Sequence, residues 1–550
     1  MKNTLHTFNR LTKAVLVFAS FLFAGLNSRS QTTPYPVSDS ISIADVSAQM
    51  YADGTSFWNP LTGLPKYRVP KTGPACSIFS GSMWIGGLDG GGHLHMAAET
   101  YKQSGNDFWP GPIMDSINYS SHQDTLWNKI WKVNKSTIDS FKNHLCVGIP
   151  ASIANWPGNG DVALGEAAKL APYEDVDNNG TYDPSGGDYP IIRGDQALFM
   201  MYNDARDTAH GETGGLKLNV EVHLMAYQYN LPLDTPVYQT TFLHYDVFNR
   251  SNYEYHNVYL GYYCDMDLGN GSNDFIGCDS ANNYWYTYNG TATDPDGLGE
   301  TGYGGPTPPP PAQSVAYLCD TMKHFIYYNN DYSGQGNPRY PWEYYDYMRS
   351  IWADSSAMTY GGTGYHSSPD ATNYMFTGNP ATGTGWSEVS AGDGPGDRRG
   401  LSSAGPFTLE PGADKTMDLA LVFSRANTGN QNTSVTTLGT AVQNVKSFYA
   451  EEGYFCDSPL AVDEVKTPQV TTLLYPNPFH TNATLSVGVN TELKNAVLEV
   501  HDVTGRTVYR QDNIHENNIS ISRGNLETGL YFYRLTQNGQ ILVNGKFIVE

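Results

Sequence analysis

One stretch of this 550-residue chain spaces its acidic and amide side chains in the way that a cation-binding loop does. It runs from Asp175 to Asp188 and places oxygen-bearing side chains at alternate positions before Gly180. A chain that curls around a hard cation turns every second side chain inward, and glycine permits the sharp turn that follows. The sequence therefore predicts a calcium site. Its candidate ligands are Asp175, Asp177, Asn179, Thr181 through its carbonyl, Asp183 and Asp188.

The spacing matches the first half of an EF-hand calcium loop, but the match is incomplete. The twelfth position holds Gly186 where the EF-hand has a bidentate glutamate, and no obvious helices flank the loop. The segment is therefore more similar to the calcium loops of dockerin or thrombospondin repeats. The alternative is a solvated turn in which the same side chains bond the backbone without a metal. The ligand spacing favours calcium.

A second acidic stretch follows a candidate strand. Its four carboxylates lie within fifteen residues and repel one another unless a cation or hydrogen bonds intervene. Calcium and a polar loop without metal both explain this stretch, and its irregular spacing favours neither. A catalytic carboxylate pair of the glycosidase type is less favoured, because acidic pairs are common in a chain this acidic. The residues are Asp265, Asp267, Asp274 and Asp279.

Motifs for other chemistries are missing from the sequence. It has no His-Glu-x-x-His or Cys-x-x-Cys metal motif, no Gly-x-Ser-x-Gly nucleophile turn and no phosphate-binding loop with its lysine. Among six cysteines, Cys264 and Cys278 flank the second acidic stretch and form the first candidate disulfide. Six tryptophans could line a sugar-binding surface, but aromatic residues also fill β-sandwich cores. They are Trp58, Trp84, Trp109, Trp156, Trp285 and Trp342.

The composition favours an exported β protein and excludes nucleic acid as a partner. The formal net charge is −23 at pH 7 and the pI is near 4.9, so the chain repels polyanions and attracts cations. Charged residues make up only 16% while aromatic residues reach 13%, which argues against disorder. Aromatic and β-branched runs alternate with turn residues. The predicted fold is mainly β, with a large antiparallel β-sandwich body, a few short helices and a small C-terminal β-sandwich.

Alternation and turn residues place the main elements of the body. Ser136 is a candidate N-cap for a short helix, and the apolar stripe from Leu438 to Tyr449 predicts an amphipathic helix that ends near Gly453. The Gly- and Pro-rich segment 297–311 predicts a stiff surface loop or spacer. Near residue 397, an Asp-Arg-Arg run predicts an ion pair that locks a glycine-rich loop. Strands are expected at 77–86, 93–101, 216–224 (half-buried), 238–249, 256–264, 407–412 and 417–424.

The N-terminus has the pattern of a secretory signal peptide. Lys2, Arg10 and Lys13 precede the apolar run 14–24, and small residues up to Ser30 fit a cleavage site. An uncleaved membrane anchor is the alternative, but the run is shorter than the roughly 20 residues that span a bilayer. The predicted domains are a signal peptide at 1–30, a β-rich body of one or two subdomains at 31–457, a linker at 458–472 and a C-terminal domain at 473–550.

The C-terminal domain carries a series of motifs in a fixed order: YPNPF at 475–479, VHDVTGR at 500–506, GLYFYRL at 529–535 and GKFIV at 545–549. This series resembles the type A C-terminal sorting domain of the Bacteroidetes type IX secretion system. The resemblance implies export to the periplasm and then translocation across the outer membrane, directed by this domain. In that family the domain is commonly cleaved, and the product is attached to cell-surface lipopolysaccharide or released.

The body also resembles a group of uncharacterised Bacteroidetes surface proteins that carry the same tail. The resemblance rests on WIGG at 84–87, DFWPGP at 107–112, GDYP at 187–190, DMDLG at 265–269 and DRR at 397–399, and it implies no activity. We therefore expect an exported surface or secreted protein with a non-catalytic binding, adhesive or structural role and calcium-stabilised loops. Its expected partners are the type IX machinery, a lipopolysaccharide anchor and a glycan or protein ligand. The alternative is a secreted polysaccharide-active hydrolase that uses an Asp pair.

Overall fold

The chain separates into two compact units, Met1–Ala461 and Val462–Glu550. The computed structural model describes residues 36–101, 105–114, 125–297, 299–454, 472–487, 493–502, 506–524, 526–537 and 540–550. The predicted signal peptide at 1–30 lies outside these residues, as does the predicted linker at 458–472 apart from its last residue. None of the helices in the described ranges combines the length and apolarity that a membrane crossing requires.

The first unit, called the body below, is built from antiparallel strands joined by turns and a few long loops. Its strands are β1 (Ser38–Ile41), β2 (Ser47–Tyr51), β3 (Trp58–Asn59), β4 (Leu64–Pro65), β5 (Tyr67–Arg68), β6 (Cys76–Ile78), β7 (Ser80–Leu88), β8 (Leu94–Ala97), β9 (Trp109–Pro110), β10 (Trp131–Asn134), β11 (Tyr173–Glu174), β12 (Tyr189–Pro190), β13 (Gln196–Asn203), β14 (Val220–Gln228), β15 (Thr240–Asn249), β16 (Tyr255–Asp265), β17 (Asp274–Asp279), β18 (Tyr284–Asn289), β19 (Ala312–Tyr317), β20 (His324–Tyr328), β21 (Arg399–Leu409) and β22 (Asp414–Ser424). Its helices are α1 (Lys135–Lys142), α2 (Ala151–Ala154), α3 (Thr235–Tyr238), α4 (Pro341–Tyr347), α5 (Glu388–Ala391) and α6 (Gln431–Glu451), with 3-10 turns at Val162–Leu164 and Gly271–Asn273.

Two layers of sheet form the body. One layer is a nine-stranded sheet in the order β10-β13-β14-β15-β22-β19-β18-β17, with β9 beside β13. The other layer holds a five-stranded sheet, β20-β21-β16-β7-β8, and a four-stranded sheet, β1-β2-β5-β6. Side chains from both layers share one continuous apolar core. The prediction of a large antiparallel β-sandwich is confirmed.

Stacked aromatic rings hold the two layers together. Trp285 of the nine-stranded sheet stacks on Phe325 of the five-stranded sheet, with ring centroids 5.1 Å apart. Its indole N–H donates to Ser402 Oγ at 3.0 Å, so the buried polar atom is satisfied. Within the five-stranded sheet, Trp84 stacks on Tyr263 at 5.4 Å. Because these tryptophans are fully buried, they are core residues rather than a sugar-binding surface.

The outer face of the nine-stranded sheet is covered by α6 and the shorter helices. The side chain of Asn430 caps α6 by accepting the N–H groups of Asn432 and Thr433. Leu438, Val442 and other residues along one stripe of the helix are buried against the sheet. The predicted amphipathic helix is therefore confirmed, and the sheet is buried on both faces.

That double burial explains one wrong prediction. The strand expected at 216–224 is observed as β14, Val220–Gln228, and all nine of its residues are buried. Alternation of apolar and polar residues predicts a half-buried strand, but a central strand between two apolar layers has no solvent face. Several of its polar side chains are satisfied by neighbouring protein groups. Glu221, for example, pairs with His223 at 2.9 Å and with Arg250 at 2.9 Å.

One further local prediction is wrong, and another holds for only part of its segment. Ser136 lies inside α1, which begins one residue earlier and has Asn134 as its N-cap residue. The predicted surface loop at 297–311 is exposed at residues 304–308, but residues 309–311 are buried where β19 begins. The guanidinium group of Arg425 donates to the carbonyls of Pro308 and Pro309 at 3.1 and 2.7 Å. These bonds hold the proline segment against the end of β22.

The candidate disulfide between Cys264 and Cys278 does not form. Both residues are buried free thiols, as is Cys76, and Cys146 is also a free thiol. Cys319 is disulfide-bonded, and its partner lies outside the described residues.

The second unit is a small sandwich, as predicted. Its strands are β23 (Thr472–Tyr475), β24 (Asn482–Val487), β25 (Ala496–His501), β26 (Thr507–Ile514), β27 (Asn518–Ser522), β28 (Gly529–Gln537) and β29 (Gln540–Val549). They form a three-stranded sheet, β23-β24-β27, and a four-stranded sheet, β26-β25-β28-β29. Leu485 and Ile521 from the first sheet share a core with Leu498, Leu535 and Phe547 from the second. Thr504-Gly505 and Asn538-Gly539, two turn signals of the sequence, fall outside the described residues.

A buried ionic network lies between the nine-stranded sheet and α6. Asp418 accepts from His244 Nδ1 at 2.8 Å, from Arg193 Nη1 at 3.1 Å and from the Tyr449 hydroxyl at 2.8 Å. The other ring nitrogen of His244 lies 3.1 Å from Asp246. Burial alone would lower the pKa of His244, but the two carboxylates outweigh it and raise the pKa to about 9. The imidazole is therefore charged at neutral pH.

The charged His244 makes stability depend on pH in alkaline solution. The folded state keeps a proton that the unfolded state loses above about pH 6.5, so this stabilisation is complete below pH 6.5 and is lost as pH rises through about 9. The upper limit of the loss is about 3 kcal/mol. Denaturant unfolding at several pH values measures it. His244→Gln should flatten the decline, whereas the exposed control His256→Gln should keep it. An equal slope in both variants would contradict this assignment.

Candidate metal sites

The first acidic stretch forms the loop of a short hairpin. Strands β11 and β12 pair antiparallel, Glu174 with Tyr189, and fix the two ends of the loop. Tyr182 anchors the middle, because its hydroxyl donates to the Ile153 carbonyl at 2.6 Å and its ring packs against Tyr173. Ring packing and strand pairing therefore hold the loop, which we call the hairpin loop (residues 175–188), in one conformation.

Asp188 organises the hairpin loop from inside. It is fully buried, and its two carboxylate oxygens accept the backbone N–H groups of Val176 and Asp183, each at 2.8 Å. These bonds tie the first arm of the loop to the second. Each carboxylate oxygen has a second lone pair, so the group can still bind a cation.

Three of the six predicted ligands converge in the hairpin loop. Carboxylate oxygens of Asp175, Asp177 and Asp188 all lie within 4.8 Å of one another. Burial of Asp175 is slight, and the N–H groups of Gly180 and its neighbours outweigh it and lower the pKa of this carboxyl. Asp175 is thus an anion whose charge is available to a cation at neutral pH.

The other three predicted ligands bond within their own turns. Asn179 Oδ1 accepts from the backbone N–H and the hydroxyl of Thr181, at 2.8 and 2.7 Å. Its amide group donates to Asp177 at 3.0 Å. Asp183 accepts from the hydroxyl of Ser185 at 2.6 Å. Both patterns are those of the solvated-turn alternative, and the convergence of the three carboxylates is the feature that favours a cation.

The second acidic stretch is divided by the structure. Asp265 ends β16, Asp267 follows it, and Asp274 begins β17 near them. Asp279 lies at the opposite end of β17, where it accepts from the backbone and side chain of Asn282 at 3.1 and 2.8 Å. Five residues of strand span about 17 Å, so Asp279 is separated from the other three.

Two residues that the sequence analysis missed join this cluster. An oxygen of Asp397 lies within 4.8 Å of oxygens of both Asp265 and Asp267. The carboxyl groups of Glu300 and Asp267 interact, and burial raises the pKa of both. Glu300 also accepts the backbone N–H of Gly271 at 3.2 Å. We call Asp265, Asp267, Glu300 and Asp397 the carboxylate centre.

The predicted arginine lock is present beside the carboxylate centre. Arg399 donates to Asp397 at 3.0 Å and lies 3.7 Å from Asp265. Its Nε donates to the hydroxyl of Tyr101 at 2.9 Å, and that hydroxyl in turn donates to Asp265. The closeness of Asp397 and Arg399 in sequence predicted their ion pair. Nothing in the sequence predicted that this pair lies next to the second acidic stretch.

The comparisons with known proteins concern mainly the second unit. Residues 473–550 match a family model for the secretion system C-terminal sorting domain. The chain therefore carries a type IX secretion sorting domain, the class of domain that engages the type IX machinery and directs export to the cell surface or the extracellular space. No curated protein matches the chain.

Two solved structures are distantly similar. A polysaccharide lyase is 8% identical with a TM-score of 0.19, and the match covers 66% of this chain and 37% of the lyase. The adhesin domain of Epf from Streptococcus pyogenes is 8% identical with a TM-score of 0.13, and the match covers 60% of this chain and 92% of that domain. This chain thus spans little more than a third of the lyase. Similarity at this level carries no argument about activity.

Removing the buried carboxylate of the hairpin loop should destabilise the body. Asp188→Ala leaves two backbone N–H groups without an acceptor, and each such group costs about 1–3 kcal/mol when buried. Thermal unfolding of the full chain in excess chelator measures the loss without a contribution from metal. The exposed control Asp207→Ala should leave the melting temperature unchanged. Equal melting temperatures for the two variants would contradict the organising role of Asp188.

Proposed function

We propose that this chain is an exported cell-surface or secreted protein whose body has a non-catalytic binding, adhesive or structural role, and that calcium holds its hairpin loop. The observation that carries the proposal is the convergence of Asp175, Asp177 and Asp188 in a chain with a sorting domain. The sorting domain supports a location outside the cell. Calcium is the hard cation whose flexible all-oxygen coordination suits a carboxylate loop of this kind.

The hairpin loop gives calcium a direct effect on stability. Its ligands are brought together by the β11–β12 pairing and by Asp188, and the unfolded chain cannot reproduce that arrangement. A cation that binds only the folded form stabilises it by mass action, by about 2.7 kcal/mol when its concentration is 100 times the dissociation constant. Calcium therefore rigidifies an exposed loop at little structural cost.

The hydrolase alternative is disfavoured by burial. A glycosidase needs two carboxyl groups in a cleft that a sugar can enter. Asp265 and Asp274 are only 2% and 1% exposed, and Arg399 and Tyr101 already bond the former. The burial of Asp265 and Asp274 therefore argues against their use as a catalytic pair.

An exposed aromatic surface supports a binding role with a glycan. Trp342 is half exposed and stacks on Tyr340, with ring centroids 4.5 Å apart and the planes nearly parallel. The apolar faces of sugars stack on such rings, and the pair has no core to fill. Glycan or protein ligands and attachment to lipopolysaccharide belong to this proposal.

Calcium should raise the thermal stability of the body through the hairpin loop. In excess chelator the melting temperature of the wild type should fall, and added calcium should restore it. Asp177→Asn removes one of the three converging carboxylates and should weaken the restoring effect of calcium at this loop. Asp207→Asn, an exposed control, should respond as the wild type does. A wild-type melting curve that is the same with calcium and with chelator would remove the calcium proposal.

The sorting domain should be sufficient for passage across the outer membrane. A periplasmically exported reporter fused to residues 473–550 should reach the cell surface or the medium in a host with a type IX system. The same reporter without these residues should stay in the periplasm. Fractionation and protease accessibility distinguish the two locations. Retention of the fused reporter in the periplasm would contradict the export half of the proposal.

A further inference from the structure

We infer that the carboxylate centre is a second divalent-cation site, in which one ion joins the end of β16 to two loops that are distant in sequence. Asp265 and Asp267 come from the end of β16, Asp397 precedes β21, and Glu300 comes from the loop between β18 and β19. The inference extends the calcium-stabilised role proposed above to another place in the body, but it does not depend on the hairpin loop.

The fold brings these groups together through backbone pairing. Asp265 pairs with Arg399 across β16 and β21, which places Asp397 at the same end of the sheet. The loop after β18 is pinned by two bonds between the backbones of Asp294 and Gly304, at 2.8 and 2.7 Å. Glu300 lies within this pinned loop. One ion here would therefore bridge a strand of the five-stranded sheet and a loop of the nine-stranded sheet.

Negative charge exceeds positive charge at the centre. Two more carboxyl groups, those of the buried Asp274 and Asp294, lie close enough to interact electrostatically with the centre. Among the described residues, Arg399 is the positively charged side chain that pairs with this centre. It offsets one negative charge. Several carboxylates thus remain in a poorly solvated place, which is unfavourable unless a cation binds.

An unpaired oxygen gives an independent indication of a ligand. Asp265 is 2% exposed, and its Oδ1 accepts no hydrogen bond from the described part of the chain. Its other oxygen accepts from Tyr101 and lies beside Arg399. The Oδ1 atom of Asp274 is likewise buried without a donor. Buried carboxylate oxygens are normally satisfied, so these atoms call for an ion or an ordered water.

Two glycines allow the backbone to approach the carboxylates closely. A Cβ atom on Gly271 would lie 2.0 Å from Asp267 Oδ1, and one on Gly269 would lie 2.1 Å from Asp294 Oδ2. Gly269 also has a φ of +81°, in the left-handed region. The chain therefore wraps tightly around this group of oxygens, as it does around a bound hard cation.

The donor chemistry selects the class of ion. Every group of the centre is a carboxylate, and no histidine or cysteine belongs to the cluster, so a hard cation is favoured over zinc or copper. Opposite ligands around calcium lie about 4.6–5.2 Å apart, twice the usual calcium–oxygen distance. Oxygens of Asp265, Asp267 and Asp397 lie within 4.8 Å of one another, which is close enough for all three to bind one such ion.

Calorimetric titration of the chelator-treated full chain with calcium tests the inference. The wild type should bind two ions, and Asp267→Asn combined with Glu300→Gln should bind one. Asp177→Asn should also lose one ion, but from the hairpin loop. Asp279→Asn is the matched control, because it neutralises a carboxylate of β17 outside the centre, and it should keep both ions.

The outcomes separate this inference from the hairpin loop. If the wild type binds one ion and the Asp267/Glu300 double variant binds none, the result supports a site at the carboxylate centre and contradicts a site in the hairpin loop. An ion count that the double variant leaves unchanged overturns the centre, whatever Asp177→Asn does. If the double variant fails to fold, crystals of the wild type soaked in terbium replace it. An anomalous peak next to Asp265 Oδ1 supports the site, whereas a water or no peak at that position overturns it.

Discussion

The cost of removing carboxylates from water governs how this body is built. The chain carries a formal charge of −23, yet several of its aspartates and glutamates are buried beneath aromatic sheets. A buried carboxylate needs backbone donors, a basic partner, a proton or a metal ion. Asp188 uses backbone N–H groups, Asp418 uses Arg193 and His244, and Asp246 uses His244. Each solution fixes the relative position of the segments that it joins.

The aromatic layers create this constraint. A nine-stranded sheet covered on one face by another sheet and on the other by α6 leaves its central strands no solvent face. Polar side chains on those strands then have to satisfy one another, as Glu221 does with His223. The carboxylates of β15, β16 and β22 thus lose hydration, but their hydrogen bonds and ion pairs hold neighbouring groups in fixed positions.

Local patterns predicted the parts of the structure that local forces decide. The strands, α6 and the closeness of Asp175, Asp177 and Asp188 in the hairpin loop follow from periodicity, turn residues and spacing along one segment. Glu300 and Asp397 escaped prediction because they reach the carboxylate centre through pairing between distant strands and loops. Asp279 was grouped with Asp265 because of its proximity in sequence, but the extended β17 carries it away. A strand is nearly fully extended, so residues at its two ends are far apart in space. Closeness in sequence is therefore a poor guide to closeness in space along a strand.

The two acidic regions differ in how much of the fold a bound ion would influence. The hairpin loop is held by a two-residue ladder and its own turns, so an ion there would stiffen one surface feature. The carboxylate centre collects groups from β16, the β18–β19 loop and the segment before β21, which belong to both sheet layers. An ion there would oppose the separation of the two layers, because separation would leave uncompensated negative charge on each layer. An ion at the second region would therefore affect the cohesion of the whole sandwich, whereas an ion at the first would affect only a loop.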